Sequence, residues 1–168
     1  EASAGKLTLE VVDGASVGDG TYSGHTAAIA GSYGKGSAES FNVYVNGGTV
    51  KGDIVGGAVN GSGSIDTVKL VINGGKVEGQ VMGGSKTSGT VGSATIIVKD
   101  GEITGGINAG GSAGGVGHAR VAISGGTIEG NITKGNAATS HVSVIGSQAT
   151  IKGSIEADRV SFIEADYK

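Results

Sequence analysis

The chain has 168 residues, of which 36 are Gly and none is Pro, Cys or Trp, and its formal net charge at pH 7 is −3. The missing Pro and the lack of a three-residue Gly period exclude collagen, and a 37% apolar content with a low net charge is not typical of disorder. A chain of this length can form one domain, but aromatic residues make up only 4%, so its core must consist of Val, Ile, Leu and Ala.

Charge and Cys content also narrow the possible partners. A mildly acidic chain without a basic run gives no electrostatic reason to expect nucleic acid or an anionic membrane surface as partner. Without Cys there are no disulfides and no thiolate metal sites. No stretch reaches the roughly 18 to 20 apolar residues of a membrane span, and the N-terminal EASAGK lacks the regions of a signal peptide. We therefore expect a segment that is not embedded in a membrane: a cytosolic protein, a mature chain or an excised fragment.

Residues 1–35 contain the least regular copy of an internal repeat. A long connection follows within the sequence HTAAIAGSYGKGSAES at residues 25–40, which includes Tyr33. These residues are predicted to form an irregular first coil with a long loop that folds over a neighbouring face or the N-terminal end. The positions that match the later copies are Leu7, Leu9, Val11, Gly14, Val17 and Gly24.

Residues 36–156 repeat a more regular, Gly-punctuated phrase. VNGGTVKGDIVGG at residues 45–57 returns without a gap as INGGKVEGQVMGG at 72–84, and further copies follow at shifts of 26 and 25 residues. Within a copy the apolar residues alternate, as in Leu70 and Ile72, and this alternation is typical of strands. Three short strands joined by Gly bends within about 25 residues predict one coil of a parallel β-helix, in which each strand pairs with its equivalent in the next coil.

Stacked coils turn each repeat position into a ladder of equivalent side chains about 4.8 Å apart. Three inward apolar ladders are predicted: Val43, Leu70, Ile96, Val121 and Val142; Val50, Val77, Ile103, Ile128 and Ile151; and Ile54, Val81, Ile107, Ile132 and Ile155. Three exposed pairs of opposite charge are predicted between neighbouring coils: Lys76 with Glu102, Lys51 with Glu78, and Glu129 with Lys152. Residues 157–168 are expected to form a final strand or cap.

Glycine is expected to shape the corners of each coil. Gly74 and Gly75 are predicted to turn the chain between the first and second strands. Gly79 is predicted to form a sharp bend with positive φ, and Gly105 is its equivalent one coil later. Glycine adopts positive φ without steric cost because it has no Cβ.

The repeated phrase resembles the passenger regions of bacterial autotransporter adhesins and related large secreted surface proteins. The resemblance covers about residues 40–156 and is weaker before them. It implies a right-handed β-helix displayed on the outer surface of a Gram-negative cell by type V secretion, acting in adhesion or cell-to-cell aggregation. We therefore predict an all-β, single-stranded, right-handed parallel β-helix (a solenoid) of about six coils with 23–33 residues each. It should form a single domain over residues 1–168, within a larger secreted protein.

Carboxylates are poorly placed for catalysis in the predicted columns. β-Helix enzymes that cleave polysaccharides need clustered carboxylates on adjacent coils, whereas here Asp53 stacks beside Gln80 and Asp66 beside Gly92. The stretch GGSAGGVG at residues 110–117 lacks the Lys-Ser/Thr ending of a phosphate loop and the Asp of a Ca²⁺ repeat, so a turn is predicted there. We expect no enzyme activity, no cofactor and no metal.

A polar cluster is predicted from His118, Arg120 and His141. Placing Val121 beside Val142 puts Arg120 next to His141, with His118 two residues back on the same outward face. Two His side chains could begin a metal site, but the intervening Arg and the missing carboxylate favour a solvated face.

An apolar stripe is predicted on the outer side of the coils, formed by Tyr44, Val71, Ile97 and Ala122. It is either a contact surface for self-association or a partner, or it is covered by a tapering loop or a flanking segment. The function expected is that of a non-enzymatic, surface-exposed, adhesin-like β-helix that self-associates or binds a host or bacterial surface ligand. The alternative is a carbohydrate-active or carbohydrate-binding β-helix module.

Overall fold

The computed structural model describes residues 3–18 and 27–164, and all helix or strand structure in these ranges is β-strand. In chain order the strands of these ranges are β1 (Ser3–Val11), β2 (Ser16–Val17), β3 (Ala27–Ser32), β4 (Ser37–Val45), β5 (Thr49–Val50), β6 (Asp53–Ala58), β7 (Ser64–Ile72), β8 (Lys76–Val77), β9 (Val81–Met82), β10 (Thr90–Val98), β11 (Glu102–Ile103), β12 (Ile107–Asn108), β13 (Gly115–Ile123), β14 (Gly126–Ile128), β15 (Ile132–Thr133), β16 (Ala137–Ile145), β17 (Ala149–Ile151) and β18 (Arg159–Ile163).

These strands form three parallel sheets that the chain visits in rotation. The seven-stranded sheet has the order β1-β4-β7-β10-β13-β16-β18, the six-stranded sheet β17-β14-β11-β8-β5-β2, and the five-stranded sheet β15-β12-β9-β6-β3. Every third strand therefore returns to the same sheet until β16 and β17, after which Ile155 continues the five-stranded sheet as a bridge to Ile132. The all-β, parallel β-helix predicted from the sequence is confirmed, while its right-handed sense and its coil number stay predictions.

The strand register confirms the three inward ladders. Equivalent residues pair directly, for example Leu70 with Ile96 and Val77 with Ile103. The middle of each ladder is fully buried, whereas Leu9 and Val160, which continue the first ladder at its two ends, are 38% and 37% exposed. Because β-branched side chains have few rotamers to lose, identical residues can stack in this way at a low entropic cost.

The prediction of positive φ at Gly79 and Gly105 is wrong. Positive φ recurs instead one corner earlier, at Gly48, Gly75, Gly101 and Gly126, with φ of 70°, 78°, 94° and 79°. Near the predicted corner it occurs at Gly52, with φ of 153°, and at Gly106, with φ of 89°. At Gly79 and Gly105 the reason for glycine is space: a Cβ on Gly105 would lie 2.6 Å from the carbonyl carbon of Gly79. The coil below lies too close for any side chain there.

Two of the three predicted charge pairs are present. Lys76 Nζ lies 3.1 Å from Glu102 Oε1, and Lys152 Nζ lies 2.7 Å from Glu129 Oε1. The third pair, Lys51 and Glu78, does not come within 4 Å among the described residues.

Part of the predicted long loop is a strand. Residues 27–32 form β3, which pairs with β6 through an irregular register, while Gly24, His25 and Thr26 lie outside the described residues. On the outer side of this sheet Val55, Val59 and Met82 form a second buried apolar cluster, against which Ala27 and Ala30 pack. Tyr33 remains 64% exposed.

Candidate binding face on the seven-stranded sheet

The seven-stranded sheet places the residues of both predicted sites on its outer face. Most of its strands are nine residues long, and their side chains alternate between the core and the outside. The outward residues of consecutive strands are direct partners, so they form straight ladders across the sheet.

The apolar stripe is one of these ladders. Tyr44 pairs with Val71, Val71 with Ile97, and Ile97 with Ala122. The ladder continues beyond Ala122 into Ser143, so its apolar part ends there.

The stripe is not evenly exposed. Val71 is only 3% exposed, whereas Tyr44, Ile97 and Ala122 are half-buried. Val71 lies between the larger Tyr44 and Ile97, and Lys69 extends over the outer face with its Nζ 5.9 Å from the centre of the Tyr44 ring. The exposed part of the stripe therefore consists of Tyr44 at one end and Ile97 with Ala122 at the other.

The polar cluster is brought together as the sequence predicts. Arg120 and His141 are direct partners on β13 and β16, and His118 lies two residues before Arg120. His118 Nδ1 is 2.8 Å from Thr139 Oγ1, and His141 Nε2 is 2.9 Å from the hydroxyl of Ser161.

The two His rings thus hydrogen-bond to hydroxyl groups in the next coil. Across residues 3–18 and 27–164, no three His, Cys, Asp or Glu side chains lie close enough together to hold a metal ion. The cluster offers donors and positive charge on an open face.

A shallow depression of ≈ 470 Å³ lies over the polar cluster. Besides the cluster residues, it is lined by Thr139, Asp158 and Arg159. Arg159 continues the ladder of Arg120 and His141 by one strand, because His141 pairs with Arg159. A second depression of ≈ 490 Å³ lies alongside, where Asp66, Gly92 and Gly117 follow one another in one column.

Asp158 is the carboxylate at the edge of the first depression. Lys134 Nζ donates to its Oδ1 at 2.7 Å, and the backbone N–H of Ser140 donates to its Oδ2 at 2.8 Å. These two hydrogen bonds, that from Lys134 first, hold the pKa of Asp158 below its ordinary value. In return the backbone N–H of Asp158 donates to the Ser140 hydroxyl, so the segment before β18 is tied to β16.

The sequence interpretation missed Asp158 and Arg159. The Gly-punctuated phrase is lost after Ile155, and with it the repeat that aligned the earlier coils. The sequence does contain a signal for this strand. Aligning the alternating apolar residues of β16 with the next such pair, Val160 and Phe162, would have placed Arg159 beside His141.

Searches of protein-family models, of curated proteins and of solved structures find no match to this chain. Among the described residues there is no helix of the length and apolar character needed to cross a membrane. The parallel β-helix is therefore established from the strand pairing alone, and the resemblance to autotransporter adhesins stays an expectation.

Proposed function

We propose that this chain is a non-enzymatic segment of a surface-exposed bacterial adhesin, secreted to the outer surface of a Gram-negative cell, and that it acts in adhesion or self-association. The contact surface is the outer face of the seven-stranded sheet. The register of that sheet carries the proposal, because it aligns the half-buried Tyr44, Ile97 and Ala122 along one straight line on a rigid support.

The dimensions of this face fit a specific interface. Seven strands at about 4.8 Å spacing and nine residues of about 3.3 Å each give a face of about 29 Å by 30 Å, or roughly 850 Å². A standard protein–protein interface buries about 800 Å² on each partner. The buried ladders beneath the face keep it ordered, so little conformational entropy is lost when a partner binds.

Bead clustering and bead binding to bacterial and animal cells test the proposal. Beads coated with the chain should cluster or bind cells, and the double variant Tyr44→Asn with Ile97→Asn should reduce this. The matched control is Thr49→Asn with Thr127→Asn, two half-buried outward residues of the six-stranded sheet. Beads that neither cluster nor bind any cell would overturn the function, and equal losses in both doubles would overturn the assignment to this face.

A carbohydrate-active or carbohydrate-binding module is the second candidate. The polar depression over His118, Arg120 and Arg159 favours it, because hydroxyl groups and fixed charges are what sugar ligands require. An enzyme would release reducing ends from a panel of polysaccharides. Binding of a polysaccharide without release of reducing ends would support a non-enzymatic function of the same face.

A further inference from the structure

Beside the apolar stripe runs a second outward ladder, which we call the basic ladder: Lys69, Thr95, Arg120, His141 and Arg159. Each of these residues is the direct partner of the next, across β7, β10, β13, β16 and β18. Lys69, Arg120 and Arg159 are exposed, and none of the three forms an ion pair with a described carboxylate. Three cations therefore point outward from one line without a protein counter-ion.

The ladders on both sides of the basic ladder carry no acid from β4 onward. On one side are hydroxyl groups and one imidazole, in Ser40, Thr67, Ser93, His118 and Thr139, and on the other is the apolar stripe followed by Ser143 and Ser161. The exposed acids on the strands of this sheet are Glu10 on β1, Glu39 on β4 and Asp66 on β7. From β4 onward, the strip formed by the basic ladder and its two neighbouring ladders holds three of the 12 Lys and Arg residues and none of the 15 Asp and Glu residues of an acidic chain. An anionic ligand is attracted to it selectively.

We propose that this face binds a linear acidic polysaccharide that runs along the helix axis, with its carboxylate or sulfate groups on the basic ladder. The proposal rests on the proposed function, since it names the ligand of the same face. Arg120 and Arg159 supply charge-assisted hydrogen bonds to the anionic groups. The hydroxyl ladder meets the sugar hydroxyls, and Tyr44 and Ile97 meet the C–H faces of the rings.

Charge spacing distinguishes this ligand from a nucleic acid. Lys69, Arg120 and Arg159 follow each other at every second strand, about 9.6 Å apart. That distance is close to the length of a disaccharide, so a polymer with a single acid group in each disaccharide matches it. A nucleic acid strand carries a phosphate every ~3.4 Å and would leave most of its charges unpaired.

The surface beside the ladders has room for a chain. Gly92 and Gly117 have no side chains and form the floor of the second depression, next to the hydroxyl ladder. Asp66 limits this depression at one end. The carboxylate of the first depression, Asp158, is paired with Lys134 and does not face the ligand as a free charge.

The test measures binding of the whole chain to hyaluronan, which has one carboxylate per disaccharide, by calorimetry or surface plasmon resonance. Chondroitin sulfate separates sulfate from carboxylate recognition, and carboxyl-reduced hyaluronan and a single-stranded DNA oligonucleotide serve as controls. We expect binding to one or both acidic polysaccharides that weakens as NaCl rises from about 50 to about 300 mM, because salt screens exposed charges. The reduced polymer and the DNA should bind at least about tenfold more weakly.

Variants place the ligand on the ladder. Arg120→Gln should weaken polysaccharide binding about tenfold, while Lys51→Gln, which removes an exposed cation outside this face, should change it less than about twofold. Equal effects of the two variants, equal binding of the reduced polymer, or stronger binding of DNA would overturn the proposal. Beads that cluster or adhere while the chain ignores both acidic polysaccharides would overturn this inference alone and leave the adhesive function standing.

Discussion

Four Gly→Ala substitutions separate the two reasons for which this fold uses glycine. Gly105 lacks space but has no positive φ, because its added Cβ would lie 2.7 Å from the backbone nitrogen of Gln80. Gly14 has the opposite property, with φ of +77° and nothing within 4 Å of its Cβ position. Gly75 combines both, with φ of +78° and a Cβ position 2.6 Å from the carbonyl oxygen of Gly48, and Gly115 has neither.

The expected losses in the free energy of unfolding follow from these geometries. Gly105→Ala should cost about 1–3 kcal/mol, because the coils must move apart to admit the methyl group. Gly14→Ala should cost about 1–2 kcal/mol from the left-handed backbone alone. Gly75→Ala should cost about the sum of these. Gly115→Ala should be neutral or stabilise by up to about 1 kcal/mol, since it lowers the entropy of the unfolded chain.

Urea denaturation followed by far-UV circular dichroism measures these differences, with equal m-values showing that the unfolding reaction is unchanged. A strong loss in Gly115→Ala would contradict the reasoning, as would a neutral Gly105→Ala. If Gly14→Ala and Gly75→Ala were destabilising by similar amounts while Gly105→Ala was neutral, backbone conformation and not coil spacing would be the reason for glycine in the repeat.

Substitutions in the ladders have further expected outcomes. Ile103→Ala should lower the free energy of unfolding by about 2–5 kcal/mol because Ile103 is fully buried. Ile151→Ala should lower it by less, because Ile151 is half-buried near the end of the same ladder. Equal losses in urea denaturation would contradict the stacking of these residues in one ladder. Val71→Asp should lower stability by at least ~2 kcal/mol, since it buries a carboxylate at a 3% exposed position; an unchanged melting temperature would show that the position is open. A double-mutant cycle on Lys76 and Glu102, both over 40% exposed, should give about 0–1 kcal/mol that declines with salt.

The inward ladders could be predicted from the sequence because two independent patterns agree on them. Alternation decides which residues point inward, and the repeat shift decides which residues are partners, so Val77 and Ile103 are placed without any further information. Exposure on the outer face could not be predicted in this way. The burial of Val71 depends on the size of its neighbours Tyr44 and Ile97, which a pattern of outward positions does not describe.

The position of the strained corner was missed for a related reason. A sequence shows that a glycine recurs, but positive φ and close approach of backbones both require one, and only the stacking of coils tells them apart at Gly75 and Gly79. Asp158 and Arg159 were missed because the last strand of the face lies after the repeated phrase has ended.

Asp158 offers a test of how that last strand is held. Its carboxylate accepts hydrogen bonds from Lys134 and from the Ser140 backbone, and both lower its pKa from the ordinary value of 3.8. A carboxyl group whose pKa is lower in the folded than in the unfolded protein stabilises the fold above the unfolded value. That stabilisation is lost as the pH falls below 3.8 and through the folded pKa.

We therefore expect the amide protection of β18 to decrease below pH 3.8 in the wild-type chain, before the middle strands lose theirs. Asp158→Asn should show lower protection of β18 already at pH 7 and no such acid step, because the Asn side chain carries no charge to pair with Lys134. Glu156→Gln is the matched control, an exposed carboxylate two residues away whose removal should leave the protection of β18 unchanged. The measurement is hydrogen exchange of the backbone amides. It is expressed as protection factors because these correct for the pH dependence of the intrinsic exchange rates. The opposite result is that Asp158→Asn keeps both the wild-type protection and the wild-type acid step. In that case the backbone pairing with β16 alone would hold β18. This pairing, and not the Asp158 contacts, would then place Arg159 beside His141.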